Sequence, residues 1–131
     1  MLEINEYNDA LPDEFKIIAD KLMEVINRVL IDSRAKLYHG SPVWFIDDNP
    51  VVGYSLKKTG LALLFWSGQS FSKAGLTAVG KHKAAEIVYT NATNIDDTAL
   101  LDFLEESKSI IWDYKNIVKN KGKLELVKRR N

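Results

Sequence analysis

Aromatic side chains with polar neighbours in the middle of the chain are the residues best suited to forming a ligand site. The aromatic residues are Trp44, Tyr54 and Trp66, with Phe71 close behind, and the polar neighbour is Gln69. Ligand pockets typically combine apolar walls with a few polar groups that orient the ligand. The same aromatic residues could instead belong to the hydrophobic core, because alternation along a strand places neighbouring residues on opposite faces. We predict a small-ligand or protein-partner site near residues 67–83, with core packing as the alternative.

Two histidines add candidate polar groups to this site. His39 precedes Gly-Ser-Pro, and His82 stands between Lys81 and Lys83. They do not have the His-x-x-x-His spacing of a helical metal site. A histidine flanked by lysines is poorly suited to holding a cation but could help to bind an anion. We include His39, Lys81 and His82 among the predicted ligand-binding residues; surface histidines without such a role are the alternative.

The sequence contains no motif that predicts catalysis. Residues 66–70 lack the first glycine of the Gly-x-Ser-x-Gly elbow, and a phosphate loop would need serine or threonine where His82 stands. The chain has no cysteine, which excludes disulfides, thiolate metal sites and a cysteine nucleophile. We therefore predict a protein that is not an enzyme, with no catalytic residues and no cofactor.

Composition bounds the class of protein and its partners. Hydrophobic residues make up 46% of the 131 residues and charged residues 27%, with no net charge, which is typical of a globular domain. The N-terminus lacks the pattern of a signal peptide, and the longest apolar run, residues 61–66, is far below the roughly 20 residues of a membrane span. Basic residues gather in the tail, residues 121–131, without an aromatic–basic stripe. We expect a cytoplasmic protein with neither a membrane nor a nucleic acid as partner.

Two long helical patterns flank the aromatic region. Residues 1–11 read as a loose lead-in, and a helix is predicted from about Pro12 to Asp32 because apolar residues recur every three or four positions after the proline. A second helix is predicted from Ile95–Asp97 to Gly122, where a left-handed residue would end it.

Short strands separated by turn residues fill the region between these helices. Strands are predicted at residues 36–39, 43–46, 51–57, 61–66 and 84–90, a helical turn near 73–79, and a short edge strand at 124–127. Strands grouped between helices indicate an α+β two-layer sandwich with a mostly antiparallel sheet of four to five strands. We predict one domain over residues 1–131, with its core at about 12–120.

Several short motifs resemble the bacterial YdhG-like family. They are Tyr38-His39-Gly40-Ser41-Pro42-Val43-Trp44-Phe45, then Pro50-Val51-Val52-Gly53-Tyr54, then Lys57-Lys58, and finally Ile95-Asp96-Asp97 leading into the last helix. The similarity covers roughly residues 12–120. It implies the α–β sandwich fold. One branch of the family is described as frataxin-like, which implies an iron-binding chaperone for iron–sulfur assembly.

Acidic residues of the first helix would be the iron ligands if the frataxin-like role applied. Asp13 and Glu14 are adjacent, and Asp20 and Glu24 are four residues apart, so each pair could share a helix face. Carboxylates are hard ligands suited to such a site. Acids in this pattern also form the ordinary solvent-exposed side of a helix. We predict a non-catalytic binding module, with the frataxin-like iron chaperone and a homodimer left open as alternatives.

Overall fold

The structure is a computed structural model that describes residues 1–127. Its helices are α1 (Leu2–Asp9), α2 (Asp13–Val29) and α3 (Asp97–Ser109). Its strands are β1 (Arg34–Tyr38), β2 (Ser41–Ile46), β3 (Asn49–Lys57), β4 (Gly60–Phe65), β5 (Thr77–Ala78) and β6 (Ala85–Tyr89). Short 3₁₀ turns lie at Gly68–Ser70, Ala92–Asn94 and Tyr114–Asn116.

The six strands form one antiparallel sheet in the order β1-β2-β3-β4-β6-β5. The first four strands are a meander in which each strand pairs with the next, as turn-separated apolar runs predict. β6 pairs with β4, and the two-residue β5 forms the far edge. The predicted α+β sandwich with helices at both ends of the chain is confirmed.

Two tight turns shape the meander. His39 and Gly40 join β1 to β2, and Asp47 and Asp48 join β2 to β3, all four with positive φ. Two-residue loops of this kind match the right-handed twist of paired strands. Asp and His tolerate the left-handed region better than most residues. The second turn is two residues shorter than predicted, since Asn49 and Pro50 already belong to β3.

All three helices pack on one face of the sheet. Strand residues facing them include Trp44, Tyr54, Leu63 and Phe65, each no more than 2% exposed. The stripe of α2 that the sequence predicts supplies buried apolar side chains to the same core. No helix within residues 1–127 covers the opposite face, which we call the open face.

The N-terminal residues form a helix rather than the predicted lead-in. α1 buries Ile4 and Asn8, which lie one helical turn apart and face the sheet. The Tyr54 hydroxyl donates a hydrogen bond to Asn8 Oδ1 (2.7 Å), and Asn8 Nδ2 donates to Asp20 Oδ1 (3.1 Å). The core therefore begins before residue 12, because α1 packs against α2, β1 and β2 and is hydrogen-bonded to Tyr54 of β3.

The last helix is shorter than predicted. α3 ends at Ser109, and Ile111 enters the core from extended chain, where Trp112 forms a single bridge with Leu126. Val118, which the predicted helix would have contained, lies outside α3 and is 88% exposed. Gly122 does adopt the predicted left-handed conformation, but it ends a turn rather than an α-helix. The predicted edge strand at 124–127 is reduced to this bridge, and residues 128–131 of the predicted tail lie outside the described residues.

The segment between β4 and β6 contains no helical turn at 73–79. Its 3₁₀ turn lies earlier, at Gly68–Ser70, and residues 77–78 form β5. The Glu106 carboxylate accepts hydrogen bonds from Ser72 N (2.7 Å), Ser72 Oγ (2.8 Å) and Lys73 N (3.1 Å), which fix the segment to α3. Burial raises the pKa of Glu106, but these three hydrogen bonds outweigh it, so the pKa is lowered overall.

Candidate functional site

A shallow hollow on the open face is the candidate site, and we call it the open-face hollow. Its volume is about 150 Å³. Its lining includes Tyr38, His39, Ser41, Val43, Gly53, Ser55, Leu64 and Trp66. Apolar walls with a histidine and the hydroxyl groups of Tyr38, Ser41 and Ser55 are the composition expected of a ligand pocket.

Gly53 forms the floor of the hollow. It stands between Val43 of β2 and Leu64 of β4 in the sheet register. A Cβ atom at Gly53 would lie 2.5 Å from the Pro42 carbonyl oxygen and 2.9 Å from Val43 Cγ2. The strands approach each other here more closely than a side chain allows. Glycine is therefore required both for this approach and for the depth of the hollow.

Trp66 forms the wall of the hollow at the end of β4, and its backbone is held on both sides. Its N–H donates to the Val51 carbonyl (3.1 Å), and its carbonyl accepts from the Tyr114 hydroxyl (2.8 Å). Burial raises the pKa of Tyr114, so its hydroxyl stays protonated and remains a donor. The half-buried indole therefore stands on a fixed backbone.

Trp44 and Tyr54 are not part of the exposed site. The Trp44 side chain is fully buried and its indole N–H donates to Asn27 Oδ1 (2.8 Å). The Tyr54 ring lies 5.7 Å from the Trp44 ring on the helix side, so only the backbone position of Tyr54 borders the hollow. Strand alternation points both side chains into the core. Direct ligand contact by Trp44 and Tyr54 stays a prediction that their burial does not support.

Gln69, Lys81 and His82 lie apart from the open-face hollow. Gln69 Nε2 donates to the Ala84 carbonyl (2.8 Å) and its side chain lines a different cavity, of about 370 Å³, beside Ser72 and Lys73. The His82 ring packs edge-on against Tyr114 at 6.2 Å. Tyr114 thus lies between His82 and the Trp66 backbone. The predicted residues are thus divided among the open-face hollow, the core, the cavity at Gln69 and the contact of His82 with Tyr114, rather than gathered in one pocket.

Residues 75–81 do not form a phosphate loop. They carry the Gly-x-x-x-x-Gly-Lys spacing, but the segment contains the two-residue β5 and leads into β6. A phosphate loop needs a strand before it and a helix after it.

The four acids of α2 do not converge. Asp20 is paired with Lys16 (2.6 Å) and Glu24 with Arg28 (2.8 Å), while Asp13 and Glu14 stand at the start of the helix. Residues 1–127 contain no group of three or more potential ligands placed to hold a metal ion. Iron binding by Asp13, Glu14, Asp20 and Glu24 stays a prediction that no assembled ligand set supports.

Sequence reasoning missed most of the open-face residues. Val43, Gly53 and Leu64 lie side by side on three neighbouring strands, which only the register reveals. The alternation of each strand gives two faces, but it does not say which face the helices cover. Within residues 1–127, no helix combines the length and the apolar character that crossing a bilayer requires.

Comparisons with known proteins identify the fold. No protein-family model matches the chain, and no curated protein does. The crystal structure of YdhG, a DUF1801 family protein from Bacillus subtilis, is similar with a TM-score of 0.59 and 16% sequence identity, over 92% of this chain and 93% of that one. The resemblance to the YdhG-like family noted in the sequence is thus confirmed at the level of the fold.

Proposed function

We propose that this protein is a non-catalytic binding module whose site is the open-face hollow. The observation that carries the proposal is the half-buried Trp66 on a fixed backbone, beside Leu64 and above Gly53, on the face that no helix of residues 1–127 covers. Interaction sites are enriched in such rigid aromatic residues. The proposal retains His39 and Trp66 from the predicted site and adds Leu64 and Gly53.

The volume of the open-face hollow limits the size of the group that it can bind. A volume of about 150 Å³ is below the roughly 300–1,000 Å³ of sites for drug-sized ligands. A cavity of about this size holds one benzene ring. We infer that the hollow takes one aromatic or branched aliphatic group, with His39 and Ser55 at the rim to orient a polar substituent. Such a group could be a small molecule or a side chain of a partner protein.

Two probes distinguish these sources in a ¹H–¹⁵N NMR titration. Para-cresol represents a small aromatic ligand, and N-acetyl-tyrosine amide represents a tyrosine side chain on a protein. We expect shifts at the Trp66 indole and at the amides of His39, Gly53 and Leu64. Binding of the capped amino acid at least as tightly as of cresol would indicate a protein partner, and its exclusion would indicate a small ligand.

Matched variants test whether the probes bind in the open-face hollow. Trp66→Ala removes the wall and should abolish the shifts, whereas Gln69→Ala changes only the neighbouring cavity and should leave them intact. Ser55→Val fills part of the hollow and should weaken binding. Shifts centred on Gly68 and Ala85, or no shifts up to several millimolar of either probe, would refute the proposal.

The frataxin-like alternative is tested with the same samples. Anaerobic titration with Fe(II) should broaden resonances of residues 13–24 if the acids of α2 bind iron, and changing Asp13 and Glu14 to Asn and Gln should abolish the effect. Trp66→Ala should not affect it. Iron broadening without aromatic binding would favour the chaperone role over the module proposed here.

A further inference from the structure

The strand β1 forms a free edge of the sheet. Its only strand partner within residues 1–127 is β2, and four of its five residues are exposed. Tyr38 and Ser41 close the two-residue turn, so Tyr38, Lys36 and Arg34 direct their backbone groups toward β2. Alternation then directs the N–H and C=O groups of Ala35 and Leu37 outward. Consistent with this assignment, Leu37 faces Pro42, which has no N–H to donate.

Side chains of β1 give this edge a positive charge on the open face. Arg34 and Lys36 are exposed, and neither forms an ion pair with an acid of residues 1–127. The Lys36 ammonium lies over the Phe45 ring at 4.8 Å, which holds it above the sheet. An incoming strand would meet this cation first.

The charge pattern disfavours a second copy of the chain as the occupant. Antiparallel pairing of β1 with itself over all five residues would place Lys36 opposite Lys36 of the other copy. Because Ala35 and Leu37 carry the outward hydrogen bonds, this pair would be of the non-hydrogen-bonded type, in which facing side chains are closest. Like charges directly opposite each other are destabilising. A glutamate or aspartate in the same place would be attracted.

We propose that the β1 edge binds an extended segment of a partner protein in which acidic and apolar residues alternate, adding a seventh strand to the sheet. This surface and its ligand go beyond the open-face hollow. Backbone groups of Ala35 and Leu37 provide the hydrogen bonds of strand addition. An acid opposite Lys36 faces the open side, and apolar residues beside Leu37 face the helix side.

Acidic residues near Arg34 make Lys36, rather than Arg34, the favoured position for an acidic residue of the partner. Arg34 shares a cavity with Asp32, Asp47 and Asp48, which reduce the attraction for a further carboxylate at that end. Lys36 is not among the residues lining that cavity. Lys36, at the centre of β1, is therefore the residue expected to select an acidic residue of the partner.

The test uses a capped seven-residue peptide that alternates glutamate and valine, followed by NMR and amide hydrogen exchange on the full chain. Strand addition should slow exchange at Ala35 and Leu37, while the Lys36 amide, already bonded to β2, should change little. Non-specific attraction of the peptide would not protect Ala35 and Leu37 while leaving the amide of Lys36 between them unchanged. A peptide with lysine in place of glutamate should not bind.

Three variants complete the test. Lys36→Glu replaces attraction with repulsion and should weaken the glutamate peptide roughly tenfold while allowing the lysine peptide to bind. Lys58→Glu makes the same charge change in the β3–β4 turn and should have an effect below about twofold. Leu37→Pro removes one outward N–H without touching the pairs with β2, and should weaken binding roughly tenfold. Unchanged amide resonances of Tyr54 and Leu63, which lie on β3 and β4 away from β1, would verify that it folds.

Several results would overturn the proposal. They are equal affinity of the wild type and Lys36→Glu, unchanged affinity in a folded Leu37→Pro variant, no binding at millimolar peptide, or shifts confined to Lys81 and Lys83. Because Trp66→Ala leaves β1 intact, it should bind the peptide normally. The experiments can therefore refute the proposal for the open-face hollow and the proposal for the β1 edge independently of each other.

Discussion

Replacing Gly53 with alanine tests the packing that creates the open-face hollow. The added Cβ would lie 2.5 Å from the Pro42 carbonyl oxygen, which is 0.9 Å short of the 3.4 Å at which ordinary contact begins. The obstructing atom belongs to the backbone of a paired strand, so it cannot rotate away. Overpacking of this kind costs about 1–3 kcal/mol, and a rigid neighbour places Gly53→Ala at about 3 kcal/mol.

Urea and thermal unfolding followed by circular dichroism would measure this loss. With a typical urea m-value near 1.5 kcal/mol/M, about 3 kcal/mol lowers the midpoint by about 2 M. For a chain of this size the same loss lowers Tm by about 12 °C. The variant should still fold, because domains have about 5–15 kcal/mol of stability, but it should not bind para-cresol.

Gly80→Ala is the matched control for Gly53→Ala. Gly80 has a φ of +70° and nothing within 4 Å of its Cβ position, so alanine there meets backbone strain without a clash. This strain costs roughly 1 kcal/mol. If Gly53→Ala destabilised the protein no more than Gly80→Ala does, the close approach of β2 and β3 would not be what requires glycine, and our account of the floor would be refuted.

Two further predictions concern polar contacts that hold the ends of the fold. Tyr54→Phe should lower the free energy of unfolding by about 1–3 kcal/mol because it leaves the buried Asn8 carbonyl without its donor. The control Tyr7→Phe removes an exposed hydrogen bond and should cost less than about 0.5 kcal/mol. Equal losses in the two variants would refute the claim that the buried Tyr54–Asn8 hydrogen bond stabilises the fold. The lowered pKa of Glu106 means that its contribution to stability is present above the ordinary value of 4.5 and is lost as the pH falls through the lowered one. The Ser72 amide resonance should move over that range in the wild type and not in Glu106→Gln; a pH-independent wild-type resonance would contradict this.

The helix α2 and the meander could be predicted because their signals are local. Pro12 marks where α2 begins, and the turn residues at 39–40 and 47–48 separate the strands. α1 was missed because one of its two buried positions, Asn8, is polar. The apolar pattern was therefore too weak to indicate a helix, and the partner that satisfies Asn8, Tyr54, is 46 residues away.

The end of α3 and the location of the site depend on tertiary contacts. Apolar residues continue at helical spacing beyond Ser109, and no glycine or proline interrupts them before Gly122. The chain leaves the helix because Trp112 N donates to Ser67 Oγ (3.1 Å) while Ile111 enters the core. Trp44 and Trp66 were equally good candidates in the sequence. Which of them faces solvent is decided by the face on which the helices pack.

The unequal edges of the sheet limit how large an assembly can become. Open-ended growth of a fibre requires every added molecule to present a fresh edge for the next. β5, at the far side, contains only two residues and offers too few backbone groups to accept a strand. A molecule joined through β1 therefore presents no equivalent edge on its other side. Under the strand addition proposed above, we therefore expect a complex formed at β1 to end at one partner per chain.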